Sequence, residues 1–245
     1  MRRVLLTLLA AASLAGSAPS PLLAQRAQGR ESVRAQLRAR GVPGELANSV
    51  SRIAAEAQRR GLPSATLTDK AIEGWAKGVP AERILLAVRE LLGRLSEARQ
   101  ALSDSGATQA AGSEAVLSAG ADALARGLTR GEIVAIVRAA GGIESASAAL
   151  TAAAALAAQG ISHADAARAV TEALRSGEPA TSLLELPAAA RALMASGLAP
   201  AEVGRRLLSG EIRGEGGGLL SGRARGRPDI LPPEVRERPP RGRRP

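Results

Sequence analysis

The sequence predicts an all-α protein, an irregular array of short helical hairpins (solenoid-like or bundled) followed by a disordered C-terminal tail. Three observations carry this. Alanine supplies 54 of the 245 residues, while Trp75 is the sole aromatic, with no Phe or Tyr; such a composition favours helices and lacks the β-branched and aromatic clusters that build strands. A helix-joint pattern recurs four times along the middle of the chain. Beyond it lies an Arg, Pro and Gly-rich stretch with too few apolar residues to bury a core.

The joint is clearest in Leu117 to Val134, LSAGADALARGLTRGEIV. A Leu precedes a helix-starting Ser and a short alanine-rich helix. Gly127 then suits the left-handed position past the helix end, and Leu128 folds back on the last turn. Thr129 with Glu132 reads as a capping box for the next helix, with Leu128 and Ile133 as its hydrophobic staple. The same order appears from Leu67 to Gly78, from Leu150 to Gly160 and from Leu186 to Gly197, with Leu-to-Gly distances of 10 or 11 residues throughout. The last three units approach the period of helical-hairpin arrays.

In chain order, residues 1–24 read as a signal peptide: Arg2 and Arg3, an apolar run from Val4 to Ala15, and small residues up to an expected cleavage after Ala24. The run is shorter than the ~20 apolar residues that span a bilayer, which argues against a membrane helix. Residues 25–212 form the expected helical repeat domain. A short charged helix is expected from Glu31 to Arg40, then one with Leu46, Val50, Ile53 and Ala57 on its core face. The longest runs from Pro80 to about Leu102, with Ile84, Val88, Leu91, Leu95, Ala98 and Leu102 forming a seam. That seam suits packing within the chain and, as an alternative, a homo-oligomer. Ser103 to Gly112 reads as a small-residue linker. Residues 213–245 are the expected disordered tail.

No cysteine is present, so neither disulfides nor thiolate metal sites are available, and a lone histidine, His163, excludes zinc chemistry of ordinary composition. Ser162 and Asp165 beside His163 are better explained as a helix cap and its partner than as a catalytic set. The acids divide between helix joints (Glu82, Glu132, Asp165, Glu202) and salt-bridge spacings such as Glu73 with Lys77. No catalytic residue, metal ligand or cofactor site is therefore predicted. Trp75 is expected in the core, facing Ile72 and the long helix.

The formal net charge is +10, of which +5 falls between residues 212 and 245. Arg223, Arg225, Arg227, Arg236, Arg238, Arg241, Arg243 and Arg244 are the candidate polyanion-binding residues, since guanidinium forks pair with phosphate and carboxylate groups. Through these residues an anionic envelope polymer or lipid surface is the partner on the alternative reading. Without interleaved aromatics, sequence-specific nucleic-acid binding is not expected. Thirty-one of the 33 basic residues are Arg, a bias that codon usage alone can produce. The leading expectation is an exported, non-enzymatic scaffold or interaction module for a protein partner, periplasmic or extracellular. The alternatives are a polyanion binder working through the tail and a self-associating structural protein.

Overall fold

The computed structural model describes residues 31–211, and among them every regular element is a helix. These are α1 (31–39), α2 (Gly44–Arg59), α3 (Ser64–Ala76), α4 (Ala81–Asp104), α5 (Thr108–Gly112), α6 (Glu114–Ala125), α7 (Arg130–Ala139), α8 (Ile143–Ala158), α9 (His163–Arg175), α10 (Ala180–Ala195) and α11 (Pro200–Leu208). The expected signal peptide and the basic tail lie outside the described residues. No described helix is long and apolar enough to cross a membrane. The chain divides into two compact units, one ending at Leu92 and one beginning at Gly93, so the division falls inside α4.

The glycine joint explains why the helices stop where they do. At Gly127 φ is +92°, the Leu128 amide donates to the Ala123 carbonyl and the Gly127 amide to the Leu124 carbonyl, each at 3.1 Å. Together these bonds satisfy carbonyls that the helix leaves open, and they require the left-handed turn that only glycine adopts without strain. The same pair of bonds closes helices at Gly41, Gly61, Gly78, Gly160, Gly177, Gly197 and Gly210, all with positive φ. The structure thus uses the joint more often than the four predicted units.

Helix starts differ from the sequence reading. Ser118, and Thr68 at the same place in the Leu67 unit, do not open helices; each lies inside one, since α6 and α3 begin at Glu114 and Ser64. Thr68 is buried and donates back to the Ser64 carbonyl at 3.1 Å, a bond available only within a helix. The recurring leucines Leu67, Leu117, Leu150 and Leu186 are accordingly mid-helix core residues, all buried. Ten or eleven residues is about three helical turns, so each sits roughly in line with its joint glycine. Pro80 stands just before α4 rather than in its first turn, and its carbonyl accepts the Ile84 amide at 3.1 Å.

In the unit ending at Leu92, α2 packs on α3. Leu46, Val50 and Ala57 are buried as expected, but Ala54 replaces Ile53 on the inward face, and Ile53 is half-buried. Gly74 brings α3 close to α4: a Cβ there would lie 2.9 Å from Ile84 Cγ1. Trp75 is half-buried rather than in the core, with its indole nitrogen 3.8 Å from the position a Cβ on Gly41 would take.

In the unit beginning at Gly93, the helices form two rows in which each packs on the next but one. One row is α6, α8 and α10, and the other α7, α9 and α11. Helix α8 is central. Its sequence ASAALTAAAALAA buries Ala146, Ala149, Ala152 and Ala153 together with Leu150 and Leu156, and the small side chains let neighbouring helices approach closely. Gly120 of α6 does the same, since a Cβ there would stand 3.1 Å from the Ala98 Cβ. The segment expected to be a linker includes a short helix, α5, because Ala110 and Ala111 are buried. Pro187 sits inside α10, and its carbonyl accepts the Gln159 side-chain amide at 3.0 Å.

Within α4, Ile84, Val88, Leu95, Ala98 and Leu102 are buried in the chain's own core, and Leu92 rather than Leu91 completes the seam. Homo-oligomerisation through Ile84 to Leu102 would have to uncover that core. The exposed large apolar residue of this helix is Leu86, off the seam.

Candidate functional site

The eight arginines singled out in the tail lie outside the described residues. Within the described chain, a hollow of about 230 Å³ opens where α9, α10 and α11 meet. Its floor is apolar: Leu183 and Leu186 reach it from α10 and Leu207 from α11, all buried. The sequence positions them by helical spacing, Leu183 and Leu186 being three residues apart on one face. Its rim is polar. Glu172 stands at the end of α9, paired with Arg175 at 2.7 Å, and Glu178 lies just past the Gly177 joint. Ser176 and Ser209 turn their hydroxyls back to the Glu172 and Arg206 carbonyls, each capping its own helix end. Gly210, just past α11, also lines it.

This arrangement can hold one or two aliphatic side chains against leucine while offering carboxylate to a neighbouring cation. Sequence reasoning missed it. The available signal was two leucines on one face of α10, a third near the end of α11 and two glutamates flanking the Gly177 joint, but the contact between α9 and α11 that gathers them cannot be read from spacing within either helix.

A second polar cluster joins two helix starts. Thr129 accepts from the Glu132 amide at 3.3 Å while its own amide donates to Glu132 Oε2 at 2.7 Å, the predicted capping box. Ser162 accepts from the Asp165 amide at 3.1 Å and donates to Asp165 Oδ2 at 2.7 Å, as expected of a cap and its partner. The structure adds a link between them: His163 Nδ1 donates to Glu132, 3.0 Å from Oε1. Leu128 and Ile133 are buried as the staple requires. The Ser162 hydroxyl thus points at Asp165 and not at the imidazole, and the cluster ties the start of α9 to the start of α7. The joint before α11, which carries Pro200, works otherwise. At α11 no side chain caps the helix, and Glu202 instead pairs with Arg205 and, at 3.2 Å, with Arg206.

Burial raises the pKa of Glu132, but the Thr129 amide, His163 and the Thr129 hydroxyl together outweigh it and hold the carboxyl below its ordinary value. A carboxylate of lower pKa in the folded state adds stability that is present above its unfolded pKa and lost as pH falls through the folded one. Stability is therefore expected to decline below about pH 4.5, and Glu132→Gln should flatten part of that decline. Urea midpoints of both proteins, compared near pH 3 and near pH 6, check this. Parallel declines would contradict it. On the surface of α3, Lys77 and Lys70 similarly hold Glu73 below its ordinary value.

Among the described residues no group of three or more His, Asp or Glu side chains is placed to hold a metal ion. Compared with known proteins, the chain matches no family model, no curated protein and no solved structure.

Proposed function

We propose that this chain is an exported, non-enzymatic helical-repeat protein that serves as an interaction or scaffold module, with the hollow between α9, α10 and α11 as its binding face. The observation that carries this is the pairing of a leucine floor with the Glu172 and Glu178 rim in one surface opening. The partner it fits is a peptide segment with an aliphatic side chain flanked by Lys or Arg, the apolar part supplying affinity and the acidic rim orientation. Export rests on the signal-like character of residues 1–24 and places the protein in the periplasm or outside the cell.

A selection of random peptides on the mature protein tests this reading. Aliphatic-basic sequences should be enriched, and their saturable binding should survive replacement of the eight tail arginines by Gln. It should fall at least tenfold in Leu208→Ser/Glu178→Lys, a change confined to two half-buried residues that line the hollow. No saturable peptide, or one indifferent to the rim, would rule the reading out.

The second reading is an envelope-associated polyanion binder acting through the tail. It is favoured by nine arginines against four acids between residues 212 and 245. Binding by this route should weaken steeply with salt, through counterion release, and disappear in the tail-neutralised protein.

A further inference from the structure

A separate hollow of about 430 Å³ opens on the unit that ends at Leu92, between α2 and the first half of α4. Helix α2 contributes Ser49, Arg52, Ile53, Glu56 and Arg59, and α4 contributes Arg89. The α2 positions are offset from Ser49 by 3, 4, 7 and 10 residues, the spacing of a single helical stripe. The stripe runs beside the buried face formed by Leu46, Val50, Ala54 and Ala57. Ile53, displaced from the core, becomes the apolar patch between the arginines.

The charges in this hollow are unbalanced. Glu56, the one carboxylate in the stripe, is paired with Arg60 just past the end of the same helix. Arg52 gives one N–H to the Ser49 hydroxyl at 3.2 Å. Among the described residues no carboxylate lies within ion-pair reach of Arg52, Arg59 or Arg89. The surrounding segment shares the bias, with ten basic residues against seven acidic between 31 and 92. Three guanidinium groups gathered around one opening repel each other, and a bound anion converts that repulsion into attraction. Each fork can give two parallel N–H bonds to a tetrahedral oxyanion, which a lysine cannot do. The Ser49 hydroxyl, accepting from Arg52, still has its own proton to donate.

We propose that this hollow is a binding site for a multiply charged phosphate group, held by Arg52, Arg59 and Arg89 with Ser49 as an added donor and Ile53 as the contact for an adjoining aliphatic portion. It is independent of the tail arginines and of the peptide-binding hollow. The same chemistry is presented by a free diphosphate and by a phosphorylated lipid headgroup.

The test uses the mature full-length chain, titrated by calorimetry with inorganic pyrophosphate at about 0.15 M salt, where long-range attraction is screened. Vesicles of phosphatidylcholine with and without phosphatidic acid form the second arm. Saturable binding is expected, weakened roughly tenfold or more in Arg52→Gln/Arg59→Gln/Arg89→Gln. It should be unchanged when Arg223, Arg225 and Arg227 are replaced by Gln. The three arginines are exposed, and Gln is nearly as good a helix former as Arg, so the variant should keep its helical circular dichroism. Should it not, Arg89→Gln alone is expected to weaken binding about threefold. Glu56→Gln is expected to tighten binding by removing the only acid in the stripe. Pyrophosphate binding without vesicle binding identifies a soluble phosphate, and binding to both identifies the headgroup. Failure to bind either probe, indifference to the arginine substitutions, or loss of binding in the tail variant would overturn the proposal.

Discussion

Leu150→Ala is expected to destabilise the protein by about 3 kcal/mol, within the ~2–5 kcal/mol range of large-to-small core changes. Leu150 is fully buried in α8, the helix that contacts both rows of the unit beginning at Gly93. Its neighbours cannot close the gap. Around it α8 is mostly alanine, and Gly120 of α6, whose Cβ position would lie 4.0 Å from Leu150 Cδ1, has no side chain to move inward. A core this poor in large side chains depends strongly on the few it has. Urea denaturation followed by far-ultraviolet circular dichroism measures the change. A loss below about 1 kcal/mol would mean that the alanine-rich surroundings collapse more readily than close helix packing allows.

Gly127→Val is expected to cost about 2 kcal/mol for a different reason, since what it disturbs is backbone conformation. The residue holds φ at +92°, where a β-branched side chain is strained by roughly 1–3 kcal/mol. Relief by changing φ would break the Leu128 to Ala123 and Gly127 to Leu124 bonds that end α6. The added Cβ itself has room, since the nearest atom, His163 Cδ2, is 3.9 Å away in ordinary contact, so the cost lies in the backbone. Gly131→Ala is the control: it falls in the first turn of α7 at ordinary φ, with Thr129 Oγ1 4.0 Å from the new Cβ. It should leave stability unchanged or raise it by about 0.5–1 kcal/mol. Equal losses in the two variants would show that the left-handed conformation is not what Gly127 supplies.

The joints were legible because their chemistry is local. Gly127, Thr129 and Glu132 meet within six residues of chain, and the predicted cap, staple and turn all form. Helix starts without such a signal were misplaced. Pro63 and Ser113 precede α3 and α6 without any side-chain cap, whereas Thr68 and Ser118, which have the residue type of a cap, are interior. The periodicity of α4 located its buried face to within one residue, the uncertainty that distinguishes Leu91 from Leu92 when both are leucine.

The sequence alone determined that the described chain is helical, where most of its helices end, and which leucines face inward, since propensity, capping and periodicity act over a few turns of chain. Tertiary structure decided which helices become neighbours. Only the two-row packing brings His163 to Glu132 across 31 residues and gathers Leu207 of α11 with Leu183 and Leu186 of α10 around one hollow. Only the placement of α4 beside α2 sets Arg89 opposite Arg52 and Arg59. Each of these meetings depends on how much surface two distant helices bury together and how closely alanine and glycine allow them to approach. No window of sequence contains either quantity.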